Sequence, residues 1–170
     1  MTAPHSRLAT LLDDGDFSIG EPAAFTIATM HPHPPPEVVE IVMPRVTDPK
    51  RPSNEVINLI GLLLTTDSTS APVIKAVLDV VKFRADPGMT GRVLQYLGGV
   101  RCTSELALDF VNESLNNAGA SIRDAAVSSL LPQSGAVLRR FQGRLMQIAA
   151  DADEIERIRK TAEEVLRSIR

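Results

Sequence analysis

The stretch Ile122-Arg123-Asp124-Ala125-Ala126-Val127-Ser128-Ser129-Leu130 is echoed thirty-six residues later by Ile158-Arg159-Lys160-Thr161-Ala162-Glu163-Glu164-Val165-Leu166. Both halves keep an Ile-Arg pair, an Ala three positions after the Arg and a Leu four further on. At 3.6 residues per turn the Ile, the Ala and the Leu share one helical face, where the small Ala admits a close neighbour and the larger residues fill the gap around it. The same phase extends weakly upstream to Met89, Val93 and Leu94, since Leu94 precedes Leu130 by thirty-six positions. Self-similarity at this period is the signature of a stacked array of helical units.

Outward from this repeat, apolar residues recur at three- and four-residue steps from Glu37 onward, with breakers every dozen or so positions, which is helical periodicity. The expected helices are 37–45, 53–65, 71–84, 88–97, 103–116, 121–131, 134–149 and 153–169. The first is rich enough in β-branched residues, from Val38-Val39 through Ile41-Val42, that a strand remains an alternative there. Asp86-Pro87-Gly88 reads as one stop, Gly98-Gly99 as another, Thr103-Ser104-Glu105 as a start, and Pro132 as an interruption before Ser134. Short linkers make successive helices antiparallel. Val56 to Leu64 is apolar almost all round and is the candidate for the most buried helix. In 153–169, by contrast, Ile155, Ile158, Ala162, Val165, Leu166 and Ile169 form one face against a charged remainder.

Residues 1–36 have a different composition. Asp13-Asp14-Gly15-Asp16, Gly20, Pro22 and the run His31-Pro32-His33-Pro34-Pro35-Pro36 lack the periodicity of the rest, and the prolines remove backbone donors. Short helices are expected near 6–12 and 22–30, followed by an extended connector. The division is therefore an N-terminal extension and Pro-rich linker over 1–36, serving as a cap, and a helical-repeat domain over 37–170.

Composition narrows the class. In 170 residues, 44% apolar and 23% charged content fits one folded unit, and the longest apolar run, Leu59 to Leu64, falls well short of the roughly 20 residues needed to cross a bilayer. Neither a signal peptide nor a transit peptide fits Met1 to Leu12, so the expected compartment is the cytoplasm. A single cysteine, Cys102, excludes an internal disulfide and reads as a small buried or loop thiol. The net charge of −3 is unevenly spread: residues 1–50 carry seven acidic and three basic side chains, the remainder fourteen and fifteen. With no basic excess and no Trp, the chain lacks the usual footprint of a nucleic-acid binder.

No motif with defined chemistry competes with the array. His31 and His33, with His5, offer imidazoles to a metal, but no carboxylate or thiol completes a set, and a Pro-rich linker accounts for them better. That linker reads as a stiff spacer ahead of a polyproline ligand. Asp13, Asp14 and Asp16 lack the further ligands of a calcium loop, and Gly98-Gly99 lacks the context of a phosphate cradle. Arg139, Arg140 and Arg144 form a small basic cluster that reads first as a solvated helix face. Metal sites, catalytic residues and cofactors are accordingly assigned to none.

The aliphatic-Arg pair with its following Ala and Leu, in both copies, resembles the second helix of HEAT and HEAT-like repeats. The resemblance covers roughly 71–170, more weakly from 37, and departs from the pattern at Gly91 and Arg92. It implies an all-α, right-handed α-solenoid of antiparallel hairpins, pairing 71–84 with 88–97, 103–116 with 121–131 and 134–149 with 153–169, with 37–45 and 53–65 as a degenerate pair. It also implies that Arg123 and Arg159 are structural residues tying neighbouring repeats together. The expected function is a non-catalytic scaffold or adaptor that docks a partner protein on the array, through residues lying between the buried ones: Arg92, Gln95, Asp124, Ser128, Lys160, Glu163 and Arg167. Alternatives are a HEAT-like enzyme, either a DNA glycosylase acting on alkylated bases or a bilin lyase, and a self-associating structural subunit. The missing Trp and absent basic excess argue against the glycosylase.

Overall fold

The computed structural model describes residues 37–169, and every described element is helical. The expected N-terminal helices, the Pro-rich linker and all three histidines lie outside the described residues. The chain divides between Arg84 and Ala85 into two compact units. The members of the expected 71–84 and 88–97 pair thus belong to different units.

The first unit contains α1 (Glu37–Val46), α2 (Ser53–Thr66) and α3 (Ala71–Arg84), each in contact with the other two. Val38, Val42 and Val46 are buried while Glu40 and Pro44 between them are exposed, which settles the strand-or-helix question in α1: a strand would have put all five positions on one face. Pro44 inside α1 lacks an amide, and nearby the Arg45 guanidinium donates to the Ile41 carbonyl. In α2 the six consecutive residues Leu59 to Leu64 are all buried. Six residues exceed one turn of 3.6, so this helix is covered on every side, as its all-round apolar character requires. Arg84 fastens the end of α3 to the α1–α2 connection by donating to the carbonyls of Arg51 (2.9 Å) and Asp48 (3.0 Å).

The second unit contains α4 (Pro87–Gly99), α5 (Glu105–Leu115), α6 (Ala120–Leu130), a single turn α7 (Gly135–Leu138) leading through a 3₁₀ segment (Arg139–Phe141) into α8 (Gln142–Ala150), and α9 (Glu156–Arg167). Helix α6 is in contact with α4, α5 and α9, and α8 packs on α9. The antiparallel neighbours expected within 103–131 and within 134–169 are therefore in contact.

Four readings change. Asp86-Pro87-Gly88 begins a helix instead of ending one: Pro87 occupies the first turn, where its missing amide costs nothing, and the Asp86 carboxylate accepts from the amides of Gly88 (2.8 Å) and Met89 (3.3 Å). The preceding helix is terminated by Ala85, at φ 50°. Gly98 and Gly99 are the last two residues of α4 and do not follow it, so the helix ends two residues later than expected, and Arg101, also at φ 50°, makes the turn. The expected 134–149 helix is interrupted by the 3₁₀ segment, whose three residues per turn keep Leu138 and Phe141, both buried, on one side. The last helix starts at Glu156, so Ile155 precedes it, escapes the helical phase and is 52% exposed.

Candidate docking face

Helix α6 sits between α4 and α9 because its flanks are shaped for both. On the α4 side the approach is set by Gly98: a Cβ there would stand 2.6 Å from the Ser129 carbonyl oxygen and 2.8 Å from the Ser129 Cα. The absent side chain lets the two backbones meet. One turn-pair earlier, Gly91 faces the Ala125 methyl at ordinary contact distance. Of the glycines of α4, Gly98 is the one this approach requires, since a Cβ at Gly91 would be accommodated at an ordinary contact distance and one at Gly99 would meet nothing.

On the α9 side the contact is ionic. Arg123 donates from Nε to Glu154 Oε2 (2.6 Å) and from Nη2 to Glu154 Oε1 (2.8 Å), a two-pronged pair that matches the planar fork to the carboxylate. Its remaining nitrogen, Nη1, donates to the carbonyls of Asn117 and Ala118, both at 2.8 Å. One side chain therefore ties the start of α6, the α5–α6 connection and the approach to α9. The Arg123 guanidinium, aided by the Ile155 amide, holds the Glu154 carboxyl below the usual carboxylate range, and the carboxylate in turn raises Arg123. Arg123 thus ties α6 to the segment leading into α9. A second bridge runs from Arg157 of α9 to Asp124 of α6 (2.7 Å).

Arg159, the counterpart of Arg123 thirty-six residues on, behaves differently. Its Nε is enclosed and has no hydrogen-bond partner among the described residues.

With α6 held in this way, the residues chosen from helical phase take definite positions. Arg92 and Gln95 are exposed on α4 and bonded to each other (3.1 Å). Asp124 and Ser128 are half-buried on α6, and Lys160, Glu163 and Arg167 are exposed on α9. Two shallow depressions gather some of them. One, between the ends of α4 and α6, is lined by Gln95, Gly98, Gly99, Ser128, Ser129 and Pro132; the other, along α9, includes Lys160, Glu163 and Arg167. Asp124 is engaged by Arg157, and Lys160 by Glu156 (2.6 Å), so these two charges are partly neutralised in place.

The basic cluster is divided by its partners. Arg140 reaches Glu105 and Asp109 of α5, each at 2.5 Å, and Arg144 donates to the Leu115 carbonyl (3.1 Å) and to Gln147 (3.1 Å), while Arg139 is exposed. Two of the three arginines thus tie α5 to the segment containing the 3₁₀ turn and α8. Cys102 is buried, and desolvation pushes its thiol up, away from the reactive thiolate.

Glu154 and Arg157 were not singled out from the sequence, and Gly98 was read there only as part of a helix stop. Glu154 lies thirty-one residues from Arg123, and no local pattern distinguishes it from the other surface acids of its region. Among the described residues, no His, Cys, Asp and Glu cluster is placed to hold a metal, and no helix is long and apolar enough to cross a membrane. Comparison with protein-family models, curated proteins and solved structures returns no match.

Proposed function

We propose that the chain is a non-catalytic protein-binding module whose second unit forms part of a short, right-handed helical-repeat array, docking a partner protein across the outward side of α4, α6 and α9. The observation that carries this reading is the position of α6, in contact with α4 on one side and α9 on the other, with the residues between the buried positions of all three helices directed away from the core. A row of side-by-side helices gives a broad surface of mixed charge, including Arg92 and Gln95 at one end and Lys160 and Arg167 at the other. Such a surface selects by shape and charge pattern, and not by a deep pocket.

Affinity capture with the full chain from its native cell, read by mass spectrometry beside the double variant Arg92→Glu/Lys160→Glu, tests the reading. A partner held by the native chain and lost by the variant, at unchanged melting temperature, is the expected result. An identical set of captured proteins from both chains would remove this face from consideration.

A further inference from the structure

Helix α2 is covered more completely than its helical neighbours can account for. At about 100° per residue, the six consecutive buried residues Leu59 to Leu64 point in directions that leave no sector wider than about 100° between them. Every leucine and isoleucine in that run is 5% exposed or less. Near the end of the helix the Thr65 and Thr66 hydroxyls turn back to donate to its own carbonyls, at Gly61 and Leu62 (both 2.8 Å). Among the described residues of this unit, α1 and α3 are the helices packed on α2, and they also touch each other. Three mutually touching helices stand at the corners of a triangle, so α1 and α3 lie side by side as seen from α2. A neighbour of equal diameter in contact screens about 60° of the circumference, so the pair together screen about 120°. The side chains on the remaining flank are nevertheless buried, and their cover comes from outside the three helices.

We propose that this cover is the segment 17–30 of the same chain, laid along the flank of α2 that faces away from α1 and α3. Helix α2 holds no charged residue after Glu55, so whatever buries its flank has to be nearly free of charge as well. Within residues 1–36, the first sixteen carry Arg7, Asp13, Asp14 and Asp16, whereas 17–30 carry only Glu21. The same segment contains two Phe-x-Ile triplets, Phe17-Ser18-Ile19 and Phe25-Thr26-Ile27. A buried Phe covers about 150–250 Å², so the two triplets match a flank of leucines in extent as well as in polarity. The tether is also short enough. Glu37 opens α1, which itself packs on α2, and the six residues 31–36 reach at most about 20 Å, comparable to the length of α2. The compact unit that holds α2 begins at Met1. The extension is then a core element of the first unit, and this role is independent of the docking face on the second unit.

A benzophenone in place of the Phe25 ring, photolysed in the full chain, tests the occupant directly. Peptide mapping by mass spectrometry should place the cross-link within one chain, on residues 53–66. A cross-link to a second copy or to the second unit, or none at all, would overturn the proposal. Hydrogen exchange gives the energetic test. The amides of 59–64 should exchange slowly in the native chain, and Phe25→Ser/Ile27→Ser should speed them at least tenfold while the amides of α6 stay as they were. Leu11→Ser/Leu12→Ser, outside the segment, should leave both helices as in the native chain. Unchanged protection of α2 in Phe25→Ser/Ile27→Ser, or an equal loss in Leu11→Ser/Leu12→Ser, would also sink the idea. Should Phe25→Ser/Ile27→Ser fail to fold, the cross-link in the otherwise native chain decides.

Discussion

Helices α6 and α9 carry the same nine-residue pattern and end up in different surroundings. Leu130 is buried to 1% exposure, whereas its counterpart Leu166 is only half-buried; Ile122 is half-buried, whereas Ile158 is down to 1%. Arg123 closes on a carboxylate and two carbonyls, whereas the enclosed Arg159 Nε has no hydrogen-bond partner among the described residues. The shared pattern accounts for helix formation and for the small, fully buried Ala126 and Ala162 at the helix contacts. What each of the other positions does depends on the neighbours: α6 has α4 on one flank and α9 on the other, while α9 has a flank that faces away from α6. A repeat motif specifies a helix and its phase, and the number of neighbours then decides which motif residues become structural.

The comparison can be broken most severely at the leucines. Leu130→Ala removes a fully buried side chain and should cost about 3 kcal/mol in urea unfolding, against about 1 kcal/mol for Leu166→Ala; equal losses would mean that the two helices are equally enclosed. Next come the adjacent glycines of α4. Gly98→Ala drives a methyl into the Ser129 backbone and should destabilise by about 2 kcal/mol, whereas a Cβ at Gly99 meets nothing and Gly99→Ala should be neutral or stabilising by up to about 1 kcal/mol. If both alanines are tolerated, α4 and α6 are further apart than described.

The arginines give the next contrast. Glu154→Gln leaves Arg123, itself partly solvated, without its counter-charge and should cost about 1–2 kcal/mol, while Arg159→Ala should change stability by less than about 0.5 kcal/mol. Finally, the pair sets an acid limb. Because folding lowers the Glu154 carboxyl, its contribution is present above the unfolded value, about 4.3, and is lost as pH falls through the lower folded value. Glu154→Gln should flatten that limb of the stability–pH curve below about pH 4.5, and an unaltered limb would assign the acid sensitivity to other carboxylates.

Legibility followed locality. The boundaries of α1, α2 and α3 agree with the spans read from periodicity to within a residue, because apolar spacing and breaker residues act over one or two turns. The outward placement of Arg92, Gln95, Lys160, Glu163 and Arg167 was readable for the same reason: helical phase alone separates them from the buried positions. Gly98 was legible only as part of a helix end, because glycine's local effect is the one visible in a sequence, while its second effect is to admit the Ser129 backbone from a different helix. Ile155 was misplaced because the phase argument was extended past the helix start. The 3₁₀ turn at Arg139–Phe141 has no marker in its own residues and serves the burial of Phe141.

From its amino acids taken alone, this chain is committed to helices from Glu37 onward, to an apolar α2 that must be covered all round, and to a duplicated Ile-Arg-Ala-Leu face. Those properties arise from hydrogen bonds and side-chain spacing within a few turns, so they are written locally. Which helix lies against which, and whether an arginine finds a carboxylate thirty-one residues away, are decided only when the chain is folded. They depend on backbones meeting at Gly98 and on charges converging at Glu154, and such distances exist only in three dimensions.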